Sequence, residues 1–279
     1  MLLQYYQNIP SQLDPTAIAV GPFSIGWYAL MYLAAFAVVL MLLLLRIRKK
    51  EGSWTSEEIL DLFIFSLVGA LVGGRLGYAL LYNPTYYFHN PSDIFFPYDF
   101  TSGRWVGIYG MSYHGGLLGI ILGIAIFSRR KNSRKNFWSV ADFVAPAVPA
   151  GYFFGRIGNF LNGELYGRMT SGWIGMHFPL APDGGLLLRY PSQLIEAFLE
   201  GFILFFGLWL LRNKAEFPGY LASLYLIGYG FLRILGEFFR EPDEHLGFVW
   251  GYFTLGQLFS GAMVLAGAII YFHQRKKVL

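Results

Sequence analysis

The chain has 279 residues, 55% of them apolar and only 14% charged, with 21 cations against 17 anions and a formal net charge of +4. Long uncharged stretches recur down its whole length, which is the composition of a polytopic membrane protein rather than a soluble domain. Cysteine is absent, so disulfides, a thiolate nucleophile and Cys-ligated metals are excluded, and any thiol chemistry belongs to a substrate.

At about 20 apolar residues per crossing, the sequence predicts an all-α integral membrane protein with seven transmembrane helices. They fall near 24 to 45, 59 to 82, 106 to 127, 139 to 162, 192 to 211, 219 to 239 and 250 to 272. The first cation is Arg46, so the run starting at Ser24 has no basic leader and reads as a retained helix, not a cleavable signal. Trp27, Trp54, Trp105, Trp138, Trp209 and Trp250 fall near proposed helix ends, where amphipathic rings prefer the interface. Pro146 and Pro149 predict a kink in the fourth crossing. The stretch from 163 to 190 is rich in Gly and Pro and reads as a small external head inserted into a single membrane domain spanning 1 to 279.

Cation placement predicts orientation. Arg46, Arg48, Lys49, Lys50, Arg129, Arg130, Lys131, Arg134, Lys135, Arg212, Lys214, Arg275, Lys276 and Lys277 all land on one side, which the positive-inside rule makes cytoplasmic, leaving the N-terminus outside and the C-terminus inside. The remaining cations, Arg75, Arg104, Arg156, Arg168, Arg189, Arg233 and Arg240, include no lysine. Guanidinium keeps its charge when desolvated and offers a fork suited to phosphate oxygens. Arg104 and Arg189 are equally well read as snorkelling or pairing with Glu. Arg75, Arg156 and Arg233 lie roughly 21 to 26 Å from the cytoplasmic ends of their helices, and His114 and Glu200 roughly 12 Å below the outer ends of theirs. A polar layer in the outer half of the bilayer follows.

The run Gly155 to Arg168 (GRIGNFLNGELYGR) carries a cation, two amides and a carboxylate out of an apolar segment. Charge at membrane depth is costly and usually functional. Gly69, Gly73 and Gly77 recur every four residues, as do Gly115, Gly119 and Gly123, a spacing that lets helix backbones approach closely. Gly115 and Gly116 also follow His114 and leave room for a substrate beside the imidazole. Glu237 follows Arg233 by four and shares its helix face. Glu196 and Glu200 share another face and pair with outer arginines or contact substrate, and Asp142 is expected to cap or orient the fourth helix.

Four motifs, Met111 to Gly119 (MSYHGGLLG), Gly155 to Arg168, Tyr190 to Glu196 (YPSQLIE) and Tyr229 to Arg233 (YGFLR) with Glu237 to Arg240 (EFFR), together closely resemble the bacterial prolipoprotein diacylglyceryl transferases. The resemblance runs from Trp27 and Tyr28 to the last helix. It implies a multi-pass protein of the bacterial inner membrane, its site towards the periplasm, that moves the diacylglyceryl group of phosphatidylglycerol to the lipobox cysteine of a prolipoprotein bearing its signal peptide. A thioether forms and glycerol 1-phosphate leaves. The partners it implies are that lipid, that peptide and the bilayer, with no nucleic acid, cofactor or metal.

This chemistry sets two tasks. Negative charge growing on a departing phosphate calls for preorganised donors, for which Arg156 and Arg233 are the candidates, with Asn159 adding a hydrogen bond. A thiol with an unperturbed pKa of about 8.5 must lose its proton. His114 is the natural base, but Glu237 or Glu164 also qualify, as does a cationic site with no dedicated base. Tyr28, Arg75, Gly115, Asn162, Tyr229 and Arg240 complete the substrate-facing set by position or by resemblance.

Rival classes are weaker. A transporter for an organic or phosphorylated anion would also bury arginine, but two related halves with broken helices are expected of it, and no repeat is present. A Mg²⁺-dependent transferase needs clustered carboxylates. Phe259-Ser260-Gly261 lacks the preceding glycine of a serine-protease nucleophile turn.

Overall fold

The computed structural model describes residues 1–21, 23–95, 98–99, 104–105, 110–130, 135–242, 248–249 and 252–278. Trp250, Lys131, Arg134, the side chains of Arg104 and Trp105, and the first residues expected of the third and last crossings lie outside the described set.

Two short helices, α1 (Leu2–Gln7) and α2 (Ile9–Gln12), precede an antiparallel pair, β1 (Thr16–Val20) with β2 (Phe23–Gly26). Then follow α3 (Trp27–Arg48), α4 (Ser56–Tyr82), a short α5 (Pro84–His89), β3 (Tyr98–Asp99) paired with β4 (Arg104–Trp105), and α6 (Tyr113–Ser128). The predicted fourth crossing is two helices, α7 (Phe137–Val144) and α8 (Val148–Leu161), broken beside Pro146 with Pro149 in the first turn of α8. The short strands β5 (Met176–His177) and β6 (Leu188–Arg189) pair before a composite helix of α9 (Ser192–Glu196), a π-helical segment (Ala197–Ile203) and α10 (Leu204–Leu211). Next come α11 (Tyr220–Glu237), β7 (Phe248–Val249) paired with β8 (Phe253–Thr254), and α12 (Leu255–Lys276).

Helices thus occupy each predicted stretch, and four of them, α3, α4, the composite Ser192–Leu211 and α12, are long and apolar enough to cross a membrane. Their outward faces carry exposed Leu71, Phe202, Phe206, Leu210, Leu265 and Ile269. Large apolar side chains exposed along such helices are what a lipid environment tolerates and water does not. The third helix begins later than the sequence indicates, at Tyr113. Gly110 turns the chain with φ +82, and the Ser112 hydroxyl accepts the Gly115 N–H as an N-cap.

The chain packs as two compact units, 47–140 and 1–46 with 141–279. Within 47–140, α4 and α6 meet along their glycines. A Cβ on Gly119 would sit 1.9 Å from Gly69 O, and one on Gly73 would sit 2.4 Å from Gly115 O. No side chain fits there, so the fourfold glycine spacing is a steric requirement.

Within the other unit, α11 packs on α12 through Gly230 and Gly267, and α8 meets the π segment at Gly201. Asp142 caps α11 rather than its own helix: its carboxylate accepts the Gly219 N–H at 2.7 Å and the Ala222 N–H at 2.9 Å. Those are orphan donors of a helix start, which a carboxylate satisfies best. Residues 163–190 form a small head around Phe160, Met176, Phe178 and Ala181, against which Tyr6, Ile9, Leu13, Tyr166 and Leu194 pack.

Candidate active site

The signature run starts on α8, which ends at Leu161 and turns through Gly163 (φ +68) and Leu165 (φ 57). A bulky residue at positive φ is strained and needs fixing from outside. Two side chains of the Tyr190 to Glu196 motif do so. Ser192 Oγ donates to Leu165 O at 2.9 Å, and Gln193 Nε2 donates to Glu164 O at 2.6 Å. Beyond the turn, Gly167 lies between Tyr190 and Phe239, where a Cβ would be 2.3 Å from Phe239 O. Glycine is the residue that fits. Arg168 Nε then donates to Arg240 O at 2.8 Å, joining the run to the end of α11.

These constraints aim the polar residues of α8, the composite helix and α11 at one another. Glu196, fully buried, is the hub. Its Oε2 lies 2.8 Å from Arg156 Nε and 3.0 Å from Arg233 Nη1, and its Oε1 lies 3.5 Å from Arg240 Nη1. Despite the two close guanidinium groups, Oε2 has no aligned hydrogen-bond donor among the described residues. It is held by charge more than by directed N–H groups. Glu237 pairs with Arg233 one turn away, lies 4.0 Å from Arg240 Nε, and accepts the Thr254 hydroxyl at 2.8 Å. Gly256 leaves space for that carboxylate, since a Cβ there would be 2.5 Å from Glu237 Oε1. Glu200, on the π segment, lies 3.5 Å from Arg233 Nη1 and accepts from Tyr152 Oη at 2.5 Å. π-Helical turns recur at functional positions.

The amides extend the network towards the signature turn. Arg156 Nη1 donates to Asn159 Oδ1 at 3.2 Å, and Asn159 Nδ2 donates to Glu164 Oε1 at 2.9 Å. Tyr28 packs its ring 3.3 Å from the position of a Cβ on Gly158 and donates to Tyr32 Oη at 3.0 Å. Tyr229 meets Tyr152 edge-on with centroids 5.6 Å apart. Asn162 is the C-cap of α8, its N–H bonded to Gly158 O.

Three expected site residues belong to 47–140. His114 is exposed in the first turn of α6, its ring 5.7 Å from that of Tyr113. Gly115 lies in the glycine seam, where a Cβ would be 2.3 Å from Gly73 O. Arg75 is buried and donates to the backbone carbonyls of Ile94, Gly110 (3.2 Å) and Asp93 (2.7 Å), beside the rings of Tyr87 and Tyr78. Sequence reasoning missed Tyr152, Ser192, Gln193 and Thr254. The Tyr-Pro-Ser-Gln motif was visible, but nothing in it says that its side chains grip the carbonyls of Glu164 and Leu165.

A largely helical protein with four helices long and apolar enough to cross a membrane, and a cluster of arginines set against buried carboxylates, is an integral membrane protein. The family model described as prolipoprotein diacylglyceryl transferase matches residues 15–273, and the chain belongs to that family. It is 44% identical over 265 residues to the phosphatidylglycerol–prolipoprotein diacylglyceryl transferase of Chlorobaculum tepidum, covering 94% of this chain and 90% of that protein. Proteins of the same name from Bordetella parapertussis (45% over 271 residues, 97% of each chain) and Paramagnetospirillum magneticum (45% over 260 residues, 91% of each) are similarly close.

Proposed function

We propose that the protein transfers the diacylglyceryl group of phosphatidylglycerol to the lipobox cysteine thiol of a prolipoprotein, releasing glycerol 1-phosphate. The observation that carries this reading is the convergence of Arg156 and Arg233 on one carboxylate oxygen of Glu196, at 2.8 and 3.0 Å. Two guanidinium groups that meet on a poorly aligned carboxylate oxygen are set up to grip a phosphate oxygen better. The names of the relatives supply the substrates.

In the reaction the thiol sulfur attacks the glycerol carbon, the C–S bond forms, and the C–O bond to phosphate breaks with its electron pair passing to the phosphate oxygen. Arg156 and Arg233 stabilise that charge, and preorganised donors in a dry site contribute about 2.7–4 kcal/mol each. Glu237 fixes Arg233, while Asn159 and Glu164 orient Arg156. His114 takes the thiol proton, and Gly115 holds α6 against α4. Arg240, Tyr28, Tyr229 and Asn162 border the head group, and Arg75 organises the segment before α6. The chain crosses the membrane seven times, and its Lys- and Arg-rich side argues for a periplasmic N-terminus and a cytoplasmic C-terminus. The 163–190 head lies on the periplasmic side.

The test is a mass assay of purified protein with phosphatidylglycerol and a lipobox peptide, run beside a Cys→Ser peptide and the His114→Asn variant. A diacylglyceryl increment confined to the Cys peptide, with release of glycerol phosphate, is expected. Retained activity in His114→Asn would move the base elsewhere, and no increment from folded protein would overturn the reading.

A further inference from the structure

The Tyr152 hydroxyl stands between the two arginines assigned to the phosphate and has no part in the transfer chemistry above. Tyr152 lies one turn before Arg156 on α8. Its Oη accepts the Arg156 Nε–H at 2.7 Å and donates to Glu200 Oε2 at 2.5 Å. A hydroxyl has one hydrogen to give, so the bond to Glu200 turns its lone pairs towards Arg156. The other carboxylate oxygen, Glu200 Oε1, lies 3.5 Å from Arg233 Nη1. Arg156, Tyr152, Glu200 and Arg233 therefore form one chain of contacts. Gly236 of α11 makes room for its carboxylate, since a Cβ there would be 3.1 Å from Glu200 Oε1.

The bond at Nε decides how Arg156 is presented. Nε carries a single hydrogen, and two acceptors compete for it, Tyr152 Oη at 2.7 Å and Glu196 Oε2 at 2.8 Å. The hydrogen goes to the hydroxyl, because Glu196 Oε2 has no aligned donor among the described residues. Elsewhere on the group, Nη1 donates to Asn159 Oδ1 at 3.2 Å. Directed bonds at two different nitrogens fix the plane of a guanidinium, which is rigid. The Nη2 hydrogens have no hydrogen-bond partner among the described residues. The Tyr152 ring adds to the hold, its centroid 4.9 Å from Arg156 Cζ.

Glu196 does not substitute for this arrangement. It meets both arginines through the same oxygen, Oε2, so a phosphate that engages them competes with it. The Tyr152 hydroxyl is neutral, does not repel an arriving anion, and keeps its bond to Nε while the Nη groups turn to the phosphate. Two neighbouring guanidinium groups also repel each other. The Glu200 carboxylate, joined to Arg233 directly and to Arg156 through Tyr152, offsets that repulsion without using the shared oxygen.

We propose that Tyr152 and Glu200 are positioning residues for the transfer: Glu200 orients the Tyr152 hydroxyl, and the hydroxyl sets the plane of Arg156 and its spacing from Arg233. The inference rests on the transferase reading above. Each side chain acts through an arginine and not on the reacting atoms.

The experiment measures kcat and KM for phosphatidylglycerol in the mass assay, for wild type, Tyr152→Phe, Arg156→Lys and the double variant, with longer incubations for the slow ones. Tyr152→Phe removes one oxygen and keeps the ring. Its kcat is expected to fall by about tenfold, the loss of a hydrogen bond to a charged group. KM is expected to stay within about twofold, because the charge that attracts the lipid is still there. Lysine has no guanidinium plane to set, so in the Arg156→Lys background the same change is expected to cost about twofold or less. A tyrosine that only supports the fold would lower both backgrounds equally. Additive losses would therefore overturn the proposal, and so would a wild-type kcat in Tyr152→Phe. If Tyr152→Phe does not fold, Glu200→Gln carries the test, since it removes the charge that orients the hydroxyl. Its kcat is expected to fall by about tenfold with KM held, and full kcat in the folded variant would sink the proposal. A folded wild type without transferase activity would count against the transferase reading itself.

Discussion

Among the described residues, the arginines inside this chain make two kinds of contact. Among the described contacts, Arg46 donates to the backbone carbonyls of Asp142, Phe143 and Arg212, and Arg75 to those of Asp93, Ile94 and Gly110. Arg156, Arg233 and Arg240 end on the carboxylates of Glu196, Glu200 and Glu237. A carbonyl is neutral and fixed in the backbone, so an arginine committed to three of them clasps separate parts of the chain together. A carboxylate is an anion on a side chain, and another anion can take its place. The partner, more than depth, separates the clasping arginines from those we propose for the phosphate.

Glu196→Ala should break the carboxylate side of this comparison most severely. It leaves Arg156, Arg233 and Arg240 without their shared anion, and removing one member of a buried ion network typically costs about 3–5 kcal/mol. A large fall in the unfolding midpoint in detergent is the expected result, and a midpoint near wild type would show that the carboxylate is not the hub. Arg75→Gln tests the carbonyl side. Stranding these partly buried carbonyls costs up to about 1–3 kcal/mol, and the effect should be local, seen as faster proteolysis or hydrogen exchange around 84–95. Unchanged protection there would remove the clasp.

The smallest effect belongs to Asp183→Asn in the head. The Leu187 N–H, followed by Arg189, holds the Asp183 carboxyl below the usual carboxylate range. Its contribution to stability is therefore present above the unfolded-state value of about 3.9 and is lost as pH falls through the lower folded value. Variant and wild type should differ slightly near neutrality and converge in acid. A difference that grows in acid would contradict this.

The same contrast explains what the sequence could and could not convey. Arg156, Arg233 and Glu237 were legible because charge inside an apolar run is expensive and because i,i+4 spacing fixes a helix face. The close approach of α4 and α6 was legible in the glycine spacing. The partners of Arg75 were not, because the carbonyls of Asp93, Ile94 and Gly110 belong to whichever residues occupy those positions and leave no trace in side-chain identity. The π segment at Ala197–Ile203 was equally hidden, since no residue in AFLEGFI demands it. Helix starts were misplaced where a cap overrides hydropathy, as Ser112 does for α6. Asp142 was recognised as a cap but assigned to its own helix, because the helix it serves is distant in sequence.

Turnover of Arg156→Lys with phosphatidylglycerol and a lipobox peptide tests the central claim most directly, since lysine keeps the charge and loses the fork. A folded variant whose kcat/KM is down by about 10²–10³-fold, the usual effect of losing one preorganised donor, is the predicted result. A folded variant with near-normal turnover would contradict the claim that these guanidinium groups stabilise the departing phosphate.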